Sequence, residues 1–264
     1  MSRLLLLAMV VAVGCGPDPS VHPAAVPVVT PSAFPTPTPS PTPSPSPSLA
    51  PIALVSTGEP DQIRTRVAVS RLPAFRVYDR PRSEAVLVQK IRRVNDWHQV
   101  LALPVIDQHT DAEGRRWLEV RLPTRPNGST GWLEASHTRS RYLEERIVID
   151  LSAHTLTRWH RHRLVARYGV GVGLPQTPTT PGRFFVWARV PFEELGPYGV
   201  YALGLSGFSE VITEWIGGGR MAIHGTPNRS DPGSDISHGC VRVYNDQMLK
   251  LRDVAMGTPV TIRP

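Results

Sequence analysis

Two histidines, one cysteine and the glycines beside them are the residues of this chain best suited to covalent chemistry. His224 lies in Ile223-His224-Gly225-Thr226, and a loop separates it from Ser237-His238-Gly239-Cys240-Val241-Arg242. A cysteine attacks as its thiolate, and an ordinary thiol, with a pKa of about 8.5, is mostly protonated at neutrality. A neighbouring imidazole removes that obstacle by taking the proton and holding the thiolate in an ion pair. His238 and Cys240 stand two apart, so an extended strand would put them on one face, while His224 ends another apparent strand and would approach across a sheet. Spacing leaves either histidine open as the base. Gly239 lets backbone N–H groups come close to a developing oxyanion, where such donors are most effective. The chemistry these types serve is acyl transfer through a thioester.

Two other readings compete. His224, His238 and Cys240 are all favoured zinc ligands, but no further cysteine or ordered carboxylate pair completes a four-ligand site, so no metal is assigned. An inert core cysteine is common. It fits poorly with two histidines and three glycines inside residues 224–240.

The chain has only two cysteines, Cys15 and Cys240. Arg3, the apolar run Leu4 to Val13 and the small residues before Cys15 read as an export signal, too short for a permanent span of a bilayer about 30 Å thick. Small residues ahead of a cysteine also resemble the bacterial lipoprotein box, which makes Cys15 the expected lipidation site and residues 1–15 a signal peptide. The expected location is the cell envelope, with a lipid anchor in the membrane. There an exported Cys240 has no intramolecular partner and is either buried or used.

The rest of the chain must position these residues. Residues 16–51 are a proline-rich linker: 13 of the 28 prolines fall in 17–51, and alternating prolines favour an extended, disordered tether. Residues 52–142 read as short strands, among them Ala74–Tyr78, Ala85–Val88, Trp117–Leu122 and Gly131–Leu133, with a turn at Pro126-Asn127-Gly128-Ser129. Trp97, Trp117 and Trp132 are expected in a core, and no site chemistry is assigned to this segment. Further strands are expected at Ile147–Asp150 and Thr155–Trp159 (a hairpin), Val165–Gly173, Phe184–Val190, Met221–His224 and Pro259–Ile262. One short helix over Asn245–Arg252 is expected, capped by Asn245 or Asp246. The formal charge of +7 is spread along the chain, without the basic block of a nucleic-acid-binding arm.

The motif Ile-His-Gly-Thr, a loop, then Ser-His-Gly-Cys-Val-Arg resembles the signature of the L,D-transpeptidase (YkuD-type) catalytic domain. Thr177-Pro178-Thr179-Thr180-Pro181-Gly182-Arg183-Phe184, Gly196-Pro197-Tyr198-Gly199 and Ala202-Leu203-Gly204-Leu205 extend the likeness over residues 146–264. The end of the preceding segment resembles bacterial SH3-like barrels over about 30 residues. The resemblance implies a mainly β protein: a small SH3-like barrel followed by a β-sandwich-type catalytic domain. It implies Cys240 as the acylated nucleophile, His224 as the base oriented by the Gly225 carbonyl, and His238 as a stabiliser of the tetrahedral intermediate. Gly239 and Cys240 would supply oxyanion N–H groups, and Ser237 and Arg242 would hold the loop or a substrate carboxylate. The implied partners are peptidoglycan stem peptides, joined in 3→3 cross-links without a cofactor. Hydrolysis of the same acyl-enzyme, as in an L,D-carboxypeptidase, or a non-catalytic envelope-binding lipoprotein are the alternatives.

Overall fold

A computed structural model describes residues 64–214 and 217–264. The export signal, Cys15, the linker and the first residues of the 52–142 segment lie outside the described residues.

The first half forms β1 (Thr65–Ser70), β2 (Ala74–Tyr78), β3 (Leu87–Arg92), β4 (Leu103–Thr110), β5 (Arg116–Arg121), β6 (Thr130–Glu134) and β7 (Thr138–Leu143). They make one antiparallel sheet in the order β3-β2-β6-β5-β4-β1-β7. The alternation in Ala74–Tyr78 works as expected: Phe75 and Val77 are buried, and Arg76 between them is exposed. The strand expected at Ala85–Val88 is displaced to Leu87–Arg92, because Asp79 accepts the Val86 N–H and draws residues 79–86 into a loop. Trp117 is 2% exposed and gives its indole N–H to Asp111. Trp97 departs from expectation: it stays 46% exposed, because it sits on a loop after β3 rather than in a strand facing the core.

The second half holds β8 (Glu145–Asp150), β9 (Thr155–His160), β10 (Arg163–Gly169), β11 (Val172–Gly173), β12 (Gly182–Gly196), β13 (Gly199–Phe208), β14 (Arg220–Thr226), β15 (Asp235–Ser237), β16 (Val241–Tyr244), α1 (Asn245–Leu249) and β17 (Pro259–Arg263). Eight of these strands make a mixed sheet in the order β10-β9-β8-β17-β12-β13-β14-β16, and β11 pairs with β15 separately. The run expected over Val165–Gly173 is broken at Val170-Gly171 because Gly171 leaves the β10 ladder and exchanges backbone hydrogen bonds with Arg242. The helix is shorter than expected and is capped by Tyr244, without a side-chain cap. Asn245 is instead turned back to accept the Val200 N–H. Buried side chains of both halves, from Val67 to Ile262, form one continuous apolar cluster.

One pairing matters most for the site. β14 and β16 are parallel, with Ile223 opposite Val241 and His224 opposite Arg242. Parallel neighbours cannot be joined by a tight hairpin. The chain must therefore cross over through residues 227–240, and the end of that crossover is the Ser-His-Gly-Cys segment.

Candidate active site

His224 is 2% exposed, deep in β14. Its Nδ1 lies 2.9 Å from the Gly225 carbonyl oxygen. A carbonyl can only accept, so Nδ1 carries the proton and Nε2 keeps its lone pair. Burial lowers the imidazole pKa to about 4, with the Gly225 hydrogen bond opposing and the Arg242 charge assisting. The ring is neutral at pH 7 and its edge meets the Tyr198 ring, centroids 5.2 Å apart.

Cys240 stands just before β16, where the parallel register carries it beside Ala222. Burial pushes its thiol up from the ordinary value, against the Ala222 backbone hydrogen bond and the Arg242 charge. Low polarity favours the neutral form of each group, against the thiolate–imidazolium pair expected from the sequence. His238 and Cys240 do not share a strand face, because β16 starts at Val241 and residues 238–240 form a turn. Gly239 has φ +106°, and a Cβ there would meet the Pro178 carbonyl oxygen at 3.3 Å. Only glycine takes that turn without strain.

Ser237, 1% exposed, stitches the turn together. Its hydroxyl donates to the Cys240 carbonyl and accepts the Gly239 N–H at 3.1 Å. The Gly239 N–H is therefore engaged inside the loop. The Ser237 carbonyl accepts from Leu174 N–H and from the Thr177 hydroxyl, which ties the Ser237–Cys240 turn to the Thr177–Thr180 segment. Arg242 donates to Asp231 at 3.0 Å, and Thr226 donates to the same carboxylate oxygen at 2.7 Å. In this geometry Arg242 fastens the crossover loop. Asp231, 1% exposed, was not singled out from sequence, since a lone acid in a loop has no motif to mark it.

Gly225 has its own steric reason. A Cβ there would lie 2.3 Å from Asn245 Oδ1, and the same oxygen blocks Gly199. Two glycines thus let α1 and the start of β13 close in on the carbonyl that orients His224.

Cys240, Gly239 and the exposed His238 open into a cavity of about 390 Å³. Among aliphatic and glycine residues its walls carry four aromatic side chains: Trp187, Phe192 and Tyr198 from the second half, and Trp97 from the first half. Arg220 lies in it, its guanidinium 3.9 Å from the Trp187 ring centroid and 4.2 Å from that of Phe208. Burial lowers its pKa to about 10, so it remains charged at neutral pH. No cluster of three metal-ligating side chains occurs among the described residues.

Residues 144–262 match the family model described as the L,D-transpeptidase catalytic domain, YkuD. A Bacillus licheniformis relative named for that family is 37% identical over 120 residues, 45% of this chain and 66% of its own length. Its Bacillus subtilis counterpart is 32% identical over 117 residues, 44% of this chain and 64% of its own. The chain spans just under two-thirds of the length of both curated relatives. Among solved structures, an Enterococcus faecium L,D-transpeptidase is similar with 24% identity and a TM-score of 0.36, over 45% of this chain and 49% of that one. An L,D-transpeptidase from Mycobacterium smegmatis shows 16% identity and a TM-score of 0.36, over 59% and 80%.

Proposed function

We propose that residues 144–262, which match the YkuD family model, form an L,D-transpeptidase catalytic domain and that the protein is a peptidoglycan L,D-transpeptidase acting through a Cys240 thioester. The observation that carries this reading is the neutral His224, fixed on the Gly225 carbonyl, next to a nucleophile turn that opens into a peptide-sized cleft. Sγ of Cys240 attacks the carbonyl of the third residue in a donor stem while Nε2 of His224 takes the thiol proton. The Cys240 N–H and His238 face the resulting oxyanion. Collapse breaks the amide bond, and the departing terminal D-residue leaves as an amine with the proton from His224. An acceptor amine then attacks the thioester; His224 takes its proton and returns it to the sulfur, and the product is a 3→3 cross-link.

The test is intact-mass analysis after incubation with a tetrapeptide donor, and separately with a carbapenem, on the wild type and Cys240→Ala. Wild type should gain one acyl adduct on Cys240 and the variant none. Cross-linked product from Cys240→Ala would sink the assignment. Water in place of the acceptor gives an L,D-carboxypeptidase, which appears as tripeptide without cross-link when acceptor is supplied.

A further inference from the structure

The loop between β3 and β4 belongs to the first sheet but reaches the catalytic cleft. Asn95, 3% exposed, accepts the N–H groups of Trp97 and Gln99 on Oδ1, and its Nδ2 donates to the Trp187 carbonyl of β12 at 3.0 Å. Gln99 accepts the Arg189 N–H at 2.9 Å and donates to the Arg189 carbonyl. The loop is pinned at both ends, and Asp96 and Trp97, between the pins, line the same cavity as Cys240. Trp97 meets Trp187 edge-on, centroids 5.6 Å apart, yet stays 46% exposed. A tryptophan serving only to dock the module would be covered. The Asp96 side chain is 74% exposed, and its ion pair with Arg92 is long, at 3.5 Å. Among the described residues that line the cleft, Asp96 is the only acid.

A donor stem must present a neutral carbonyl to Cys240, whereas the acceptor arrives as an ammonium ion. Arg220 shares the cleft and feels the Asp96 charge, but its guanidinium is packed against Trp187 and Phe208. The Asp96 carboxylate stays exposed at the mouth, where it raises the local concentration of the ammonium ion, and an exposed tryptophan ring holds that ion through its π face. We propose that Asp96 and Trp97 form the acceptor-recognition wall of the cleft, binding the ammonium-bearing chain of the incoming stem; this rests on the transpeptidase reading above. The bound ammonium gives its proton to solvent before the free amine attacks the thioester.

The experiment uses the full chain, a tetrapeptide donor and a varied concentration of amine-bearing acceptor stem. Asp96→Asn should raise the acceptor KM about fivefold, with a far smaller change in kcat. It should also flatten the rise of that KM with salt, and Asp96→Glu should restore both. Trp97→Ala should raise the acceptor KM about tenfold. Donor acylation, followed by intact mass, is the reference. Parallel loss of donor acylation and cross-linking in Asp96→Asn would overturn the inference, as would an unchanged acceptor KM in both variants of a wild-type enzyme that cross-links. A wild-type Cys240 that accepts no donor would overturn the function reading itself, and this inference with it.

Discussion

His224 and Cys240 face the same physical pressure from opposite charge types. Burial penalises whichever form is charged, so the imidazole pKa falls to about 4 and that of the thiol rises. Two histidines beside a cysteine are legible in sequence, but their protonation is not, because it depends on how much of each side chain is covered. The stability consequence has a definite sign. Below about pH 6.5 the unfolded chain protonates this histidine while the folded protein does not, so stability falls with pH until about pH 4. The loss across that window should be about 3 kcal/mol. Urea unfolding at pH 7 and pH 4.5 should show this acid sensitivity in wild type and a clearly weaker one in His224→Gln. Equal sensitivity in both would show that the ring is not held neutral by burial.

Strands and turns decide where those residues stand. Most strands of the second half were legible because buried aliphatics recur at every second position, as Ile147 and Ile149 do in β8. The crossover between β14 and β16 was not, since parallel pairing joins residues distant in the chain and leaves no local pattern. Nor was the fate of Asn245, which reads locally as a helix cap but is claimed by a backbone N–H on another strand. Its carboxamide and Gly225 share a space that admits no extra carbon. Gly225→Ala should displace Asn245, turn the carbonyl that orients His224, and cut the rate of Cys240 acylation about 100-fold. The protein should still fold, since Gly225 lies at the end of β14; a near-wild-type rate would show that the carbonyl does not set the base.

Across the whole molecule, two side-chain amides of the first half imitate a neighbouring strand for the second. Gln99 exchanges two hydrogen bonds with the backbone of Arg189, and Asn127 does the same with Phe208, accepting its N–H at 2.9 Å and donating to its carbonyl at 2.8 Å. Arg125 adds donations to the carbonyls of Ser209 and Gly218. Losing either amide strands partly buried backbone groups, so Gln99→Ala and Asn127→Ala should each cost about 2 kcal/mol. The shared apolar cluster couples the halves, and calorimetry of the wild type should show one unfolding transition for both. Two separated transitions would contradict that coupling. The Pro126–Ser129 turn was visible in sequence, but its docking role was not, because turn chemistry says nothing about what the turn will meet.

The sequence by itself singled out the candidate nucleophile, its candidate histidines and the glycines beside them, and determined the mainly β character, because these depend on residue type and short spacing. Only the tertiary structure decided that burial favours the neutral forms of His224 and Cys240, that Arg242 is spent on Asp231, and that Gly239 gives its N–H to Ser237. It also decided that Trp97 belongs to the cleft rather than to a core. Each of these turns on burial or on partners far away in the chain, quantities that exist only once the strands have paired.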